Sequence, residues 1–160
     1  MIFGVGKALM KTADFPPVDS LLPHEGIMVL LSQVLAHDEH ATTCHVEFEK
    51  LAAFGQDGRV GSWAGIEVMA QCVAVHSGLV ARRQGGAPRI GVLLGSRRVY
   101  LYEEWIRGAV RVEARQSWGG ENGLVSFDCA LWEAENEERI AGARLNCLLP
   151  SDAELQEIVR

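Results

Sequence analysis

The chain is 160 residues long, enough for one domain with a core of its own. A hydrophobic content of 48% and a net charge of -6 exclude the broad basic surface that a nucleic-acid binder needs, leaving local arginine pairs as the positive features. Four cysteines, Cys44, Cys72, Cys129 and Cys147, show no CxxC spacing and fall in apolar or alternating segments, which argues for reduced, buried thiols rather than a disulfide frame.

Residues 1–16 read as an N-terminal arm closed by Phe15-Pro16-Pro17. Its apolar stretch, residues 1–10, is short and interrupted by Gly4 and Gly6, unlike a secretory signal. No run is read as reaching the roughly 18 residues that cross a bilayer, so a cytoplasmic protein with no membrane partner is expected. Residues 19–22 suit one helical turn, ended by Pro23-His24-Glu25-Gly26. An apolar strand is predicted at 27–34, a polar turn at 37–40 and an alternating strand at 42–49, together a hairpin. Residues 50–61 form a loop containing Phe54 and the turn pair Asp57-Gly58.

The stretch 62–84 is free of proline and apolar on nearly every side, which predicts a buried helix of about six turns. Ser62 suits the N-cap, Arg82 and Arg83 suit the dipole at the other end, and Gly85-Gly86 stops it. Gly65 and Gly78 leave room for a second backbone to approach. The one acid is Glu67, and a carboxylate in such surroundings is costly unless it is paired or used. Gln71 lies one turn on, on the same face, whereas His76 is rotated by about 180° and points elsewhere.

Four strands follow, at 90–102, 109–117, 124–132 and 139–149. Val125, Phe127, Cys129 and Leu131 share one face, as do Ala141, Ala143, Leu145, Cys147 and Leu149. Residues 151–160 are a short acidic tail. Two strands, a buried helix and an antiparallel meander make an α+β domain in which a curved sheet wraps one long central helix. Such a domain leaves an edge strand and part of the helix bare, and a dimer that continues the sheet would cover both.

Two segments carry a family likeness, Leu21-Leu22-Pro23-His24-Glu25-Gly26-Ile27-Met28-Val29-Leu30-Leu31 and Gly65-Ile66-Glu67-Val68-Met69-Ala70-Gln71, with residues 94–98 at the place of a sheet strand. Over residues 17–150 the chain resembles the hotdog-fold β-hydroxyacyl-acyl carrier protein dehydratases, and more closely the branch attached to aryl polyene pathways. The resemblance implies a hotdog domain at 17–150, no cofactor and no metal. It also implies an acyl carrier protein as partner, and a homodimer or a heterodimer with a paralogous dehydratase.

The chemistry it implies is removal of water from a 3-hydroxyacyl thioester, in which a loop histidine takes the α-proton and the helix acid protonates the leaving hydroxyl. On that likeness Glu67 is the acid and Gln71 steadies it, while the amides around Trp63, Ala64 and Gly65 polarise the thioester carbonyl. Phe54 joins them as a substrate-binding position. The loop reads Ala52-Ala53-Phe54-Gly55-Gln56-Asp57-Gly58, without the histidine of the family pattern. Three sources of a base stay open: His24 acting across a dimer interface, Asp57, or a second, different hotdog subunit. Arg97 and Arg98 are candidates for docking an acidic carrier protein. His37, His40 and His45 match no metal spacing and are read as surface residues, and His76 as structural. Two rival readings remain, a non-catalytic acyl-binding or partner subunit, and a thioesterase whose helix carboxylate activates water.

Overall fold

In this computed structural model residues 14–158 are described, apart from the side chain of Asp152; most of the arm read at 1–16 therefore lies outside the described residues. Helix α1 (Gly65–Arg83) is 19 residues long and is entered through a 3-10 turn at Ser62–Ala64. The N-cap expected at Ser62 is not formed. The Ser62 amide donates instead to the Glu104 carbonyl at 3.0 Å, which ties the start of the helix to the loop after the next strand. The other end is as expected, with Arg82 and Arg83 in the last turn and Gly85, at φ +76°, giving the left-handed conformation that closes it.

By length and composition Ser62–Arg83 would pass for a membrane span, contrary to the sequence reading, but 61% of its apolar window is buried inside the fold. Burial of that extent marks it as the core helix of the domain. Val68, Met69, Cys72, Val75 and Leu79 are buried against the sheet. Ile66, Glu67, Ala70, Ala74, Ser77 and Ala81 are only half-buried, and their spacing of three or four residues places them on one bare stripe.

The wrapping sheet has six antiparallel strands: β1 (Gln33–His37), β2 (Ala41–Val46), β5 (Val92–Leu101), β7 (Val110–Gly119), β8 (Leu124–Glu133) and β9 (Arg139–Leu148), in the order β1-β2-β7-β8-β9-β5. A small second sheet joins β3 (Gly55–Gln56), β4 (Arg59–Gly61) and β6 (Trp105–Ile106). Helix α2 (Asp152–Ile158) occupies the tail. The four later strands fall within two residues of their predicted limits, and the faces read from alternation on β8 and β9 are buried, although Ala130, Ile140 and Gly142 on the opposite faces are buried too.

The first hairpin is shifted. Of residues 27–34 only the last two are strand: Gly26–Met28 is a 3-10 turn opened by Gly26 at φ +58°, and β1 begins only at Gln33. Its partner β2 ends at Val46, and Phe48–Phe54 is a 3-10 stretch. Val29, Leu30 and Leu31 go into the core ahead of the first ladder pair, which is made by Gln33.

Gly78 has the close backbone neighbour that its lack of a side chain suggested. A Cβ there would lie 3.1 Å from the Leu21 carbonyl oxygen, so α1 and the segment before it meet main chain to side. At Gly65 the neighbour is the Leu131 side chain. Strand β5 is the apolar edge of the large sheet, with Leu94, Tyr100 and Leu101 about half exposed. It leaves a row of main-chain donors and acceptors open beside the bare stripe of α1.

Candidate active site

The segment ahead of α1 is fixed at three points: Leu21 is buried, its carbonyl rests on Gly78, and the Arg82 guanidinium donates to the Ser20 carbonyl at 3.1 Å. Two residues beyond, Pro23 turns the chain and His24 is delivered to α1. Its Nε2 lies 3.3 Å from Oε1 of Glu67, with the two side chains 29% and 34% exposed. The contact expected across a dimer interface is thus made within one chain. At this length it is longer than a charge-assisted hydrogen bond, which leaves Nε2 room to engage another atom.

Gln71 organises the site. Fully buried, its Oε1 accepts from the Leu30 amide at 2.9 Å, and its Nε2 donates to the Met28 carbonyl at 2.7 Å and to Oε1 of Glu67 at 3.0 Å. A backbone N–H can only donate and a carbonyl can only accept, so the two main-chain partners fix which end of the amide is which. Oε1 of Glu67 is therefore held as an acceptor. Oε2 has no partner among the described residues, and no arginine or lysine among them pairs with this carboxyl.

His24 and Glu67 line a cavity of about 160 Å³, continued along the bare stripe by Ala70 and Ala74 and closed by Leu93 and Cys147. Burial pushes the Cys147 thiol up to about 11, so it is no nucleophile. Ala70 and Ala74 were not singled out from sequence, although positions three and seven residues after Glu67 on a helix must share its face.

Other predicted residues lie elsewhere. Trp63 is 54% exposed and meets Phe54 edge to face at 5.8 Å, while Ala64 and Gly65 are buried toward the sheet. None of these four lines the Glu67 cavity. Asp57 is exposed at the β3–β4 turn with Gly58, at φ 53° and 72°, which is the turn role its sequence suggested. Arg97 and Arg98 are exposed on β5. No group of three or more potential metal ligands occurs among the described residues.

The histidines divide differently from the sequence reading. His40 and His45 sit beside Glu39 and Glu47, each at 3.0 Å, but His37 is not a simple surface residue. Its Nδ1 bonds the Thr42 hydroxyl at 2.7 Å, and the same hydroxyl bonds Nδ1 of buried His76 at 2.9 Å. Burial is the main cause that lowers both imidazoles from the ordinary value of 6.5, taking His76 to about 4; nearby His37 lowers His76 further and Asp38 opposes. His76 packs edge-on to Phe127 at 5.4 Å, on the face of α1 away from Glu67, as its spacing required.

Comparison with known proteins agrees with this architecture. A family model described as ApeP dehydratase matches residues 16–160. The solved dehydratase heterocomplex ApeI:P from Xenorhabdus doucetiae contains a chain 30% identical, with 91% of this chain and 99% of that one aligned at a TM-score of 0.80. A thioesterase of Pseudomonas aeruginosa, 16% identical, aligns over 72% and 78% at a TM-score of 0.56. Zebra fish thioesterase superfamily member 2, also 16% identical, aligns over 82% and 92% at 0.60. These last two share the fold alone. No curated protein matches.

The His76 environment sets a pH dependence. The folded chain keeps this ring neutral down to about pH 4, whereas the unfolded chain protonates it near 6.5. Between those values the unfolded state binds more protons, so this contribution to stability is complete above 6.5 and declines as pH falls toward about 4. Urea midpoints measured across that window should drop with acid in the native chain and drop less in His76→Phe; equal slopes would contradict the assignment.

Proposed function

The chain belongs to the ApeP-like dehydratase family, and on that premise we propose that it removes water from a 3-hydroxyacyl thioester borne by an acyl carrier protein, giving the trans-2-enoyl thioester in polyene or fatty acid synthesis. The observation that carries this reading is the 3.3 Å approach of His24 to Glu67 on the wall of one narrow, largely apolar cavity. A free base and a protonated acid on one wall are what an elimination requires.

In the proposed reaction, His24 Nε2 takes the α-proton, the freed electron pair forms the Cα–Cβ double bond, and the Cβ–O bond breaks. Glu67 gives its proton from Oε2 to the departing hydroxyl, which leaves as water. Gln71 supports this division of labour by holding the other oxygen, Oε1, as an acceptor. The step ends with an imidazolium beside a carboxylate, and both groups are restored when His24 releases its proton to water and Oε2 takes one up from water.

A second reading has its own support. The relative from Xenorhabdus doucetiae is a heterocomplex, and this chain bears a bare stripe on α1 next to the apolar β5 edge, the surface on which a second hotdog subunit would complete the sheet. In that arrangement the partner supplies the imidazole base, and Glu67 remains the acid. Arg97 and Arg98, exposed on β5, serve in either case as the contact for an acidic carrier protein.

Turnover of 3-hydroxyacyl carrier protein should fall by roughly 10²-fold or more in Glu67→Gln, with or without an added paralogous subunit. His24→Ala should fall comparably if His24 is the base. Activity that needs the paralogue and ignores His24→Ala assigns the base to the partner, while undiminished activity in Glu67→Gln, or release of free acid, would overturn the dehydratase reading. Reversing both charges in Arg97→Glu, Arg98→Glu should weaken carrier-protein binding at low salt and much less at high salt; unchanged affinity at low salt would remove these residues from the contact.

A further inference from the structure

His24 stands at the tip of a loop that has two feet on α1. One foot is Met28, whose carbonyl accepts from Nε2 of Gln71 at 2.7 Å. The other is Leu21, whose carbonyl oxygen would lie 3.1 Å from a Cβ at Gly78, while the Leu21 side chain and Pro88 would stand at 3.5 Å. The tight neighbour at Gly78 is thus main chain, and it cannot turn aside. The Leu21 side chain is 1% exposed, its amide donates to the Val18 carbonyl at 3.0 Å, and the Ser20 carbonyl before it accepts from Arg82 at 3.1 Å. A side chain at position 78 therefore displaces this foot as a unit, away from the helix.

The link from this foot to His24 is short and stiff. Gly78 is eleven residues after Glu67, about 16 Å along the helix axis. Fully extended chain from Leu21 to His24 covers about 10 Å, and the imidazole and the Glu67 side chain must span the rest. A link so nearly drawn out has little slack. Pro23 fixes its own φ and keeps Leu22, the residue before it, out of the helical region, and the Leu22 side chain is buried as well. Displacement of Leu21 is therefore passed on to the imidazole rather than absorbed on the way. The gap that it changes is the 3.3 Å between Nε2 of His24 and Oε1 of Glu67.

We propose that Gly78 is a positioning residue: by letting the Leu21 main chain lie directly on α1, it sets how far His24 reaches toward Glu67, and any side chain at position 78 widens that gap. The consequence for rate rests on the reading of His24 and Glu67 as base and acid of the dehydration. Gly78 is buried and does not line the Glu67 cavity, so it acts through Leu21 and not on the substrate.

The test has a structural arm and a kinetic arm, both on the full chain, with a paralogous subunit added in the second if turnover needs one. In crystal structures of the native chain and of Gly78→Ala, the Nε2 to Oε1 distance should grow by a few tenths of an ångström in the variant, with α1 and β8 unmoved. An unchanged gap overturns the proposal. Misplacement by about 1 Å costs on the order of 10²-fold, so kcat on 3-hydroxyacyl carrier protein should fall about tenfold in Gly78→Ala and further in Gly78→Val, with KM nearly constant. In a His24→Ala background Gly78→Ala should cost nothing more, whereas losses that add in the double variant mean a general loss of structure and overturn the positioning role. Arg82→Met frees the same foot from the exposed side of the helix and keeps the test alive should the Gly78 variants fail to fold. It should widen the gap and lower kcat in the same way, and a loss that persists without His24 overturns the proposal. If His24→Ala itself leaves turnover intact, the base of the dehydration lies elsewhere, and the crystallographic gap alone decides whether Gly78 positions His24.

Discussion

The carboxamide of Gln71 is the point at which the helix, the chain leading into the fold and the Glu67 carboxyl are joined. Met28 and Leu30 lie more than forty residues before it in sequence, yet their main-chain groups are paired by this one buried side chain. A stretch of apolar backbone that would otherwise need a strand partner is thereby allowed to enter the core unpaired by any ladder. The same side chain then uses its remaining N–H on Glu67. Folding of the lead-in segment and orientation of the acid are therefore one event rather than two.

The rest of the site follows from what that clamp leaves in place. With residues 28–30 held against α1, the preceding turn must cross the helix near Gly78, and Pro23 then brings His24 over Glu67. The sheet and the lead-in segment together cover the rest of α1, so the stripe that carries Glu67, Ala70 and Ala74 is left half-buried beside an apolar edge strand. A third of the Glu67 side chain is exposed in the single chain. The fold thus sets the Glu67 carboxyl on a bare stripe beside an open sheet edge.

Much of this was legible in the sequence because it is local. Helix α1, the four later strands and the shared face of Glu67 and Gln71 depend on periodicity over a few turns or a few alternations. The Asp57-Gly58 turn was legible for the same reason. What escaped depends on distant partners. Residues 27–32 have the composition of a strand, but a 3-10 turn at Gly26–Met28 and the bonds of Gln71 to Met28 and Leu30 take the place of a ladder. Ser62 lies inside the 3-10 turn that leads into α1 rather than at a cap, and His37 is linked through Thr42 to buried His76 rather than standing free at the surface. Motif likeness located Glu67 and His24, but their contact, and the absence of Trp63, Ala64, Gly65 and Phe54 from the cavity, are facts of packing.

The claim that one buried amide unites lead-in segment, helix and acid is tested most directly by hydrogen exchange at the Leu30 amide in Gln71→Leu, a substitution close in size that keeps the apolar bulk and removes the bonds. The account predicts that this amide, slow in the native chain, exchanges many times faster in the variant while amides in the middle of β8 keep their protection. Retained protection at Leu30 would contradict it, for the segment would then be held by something other than Gln71.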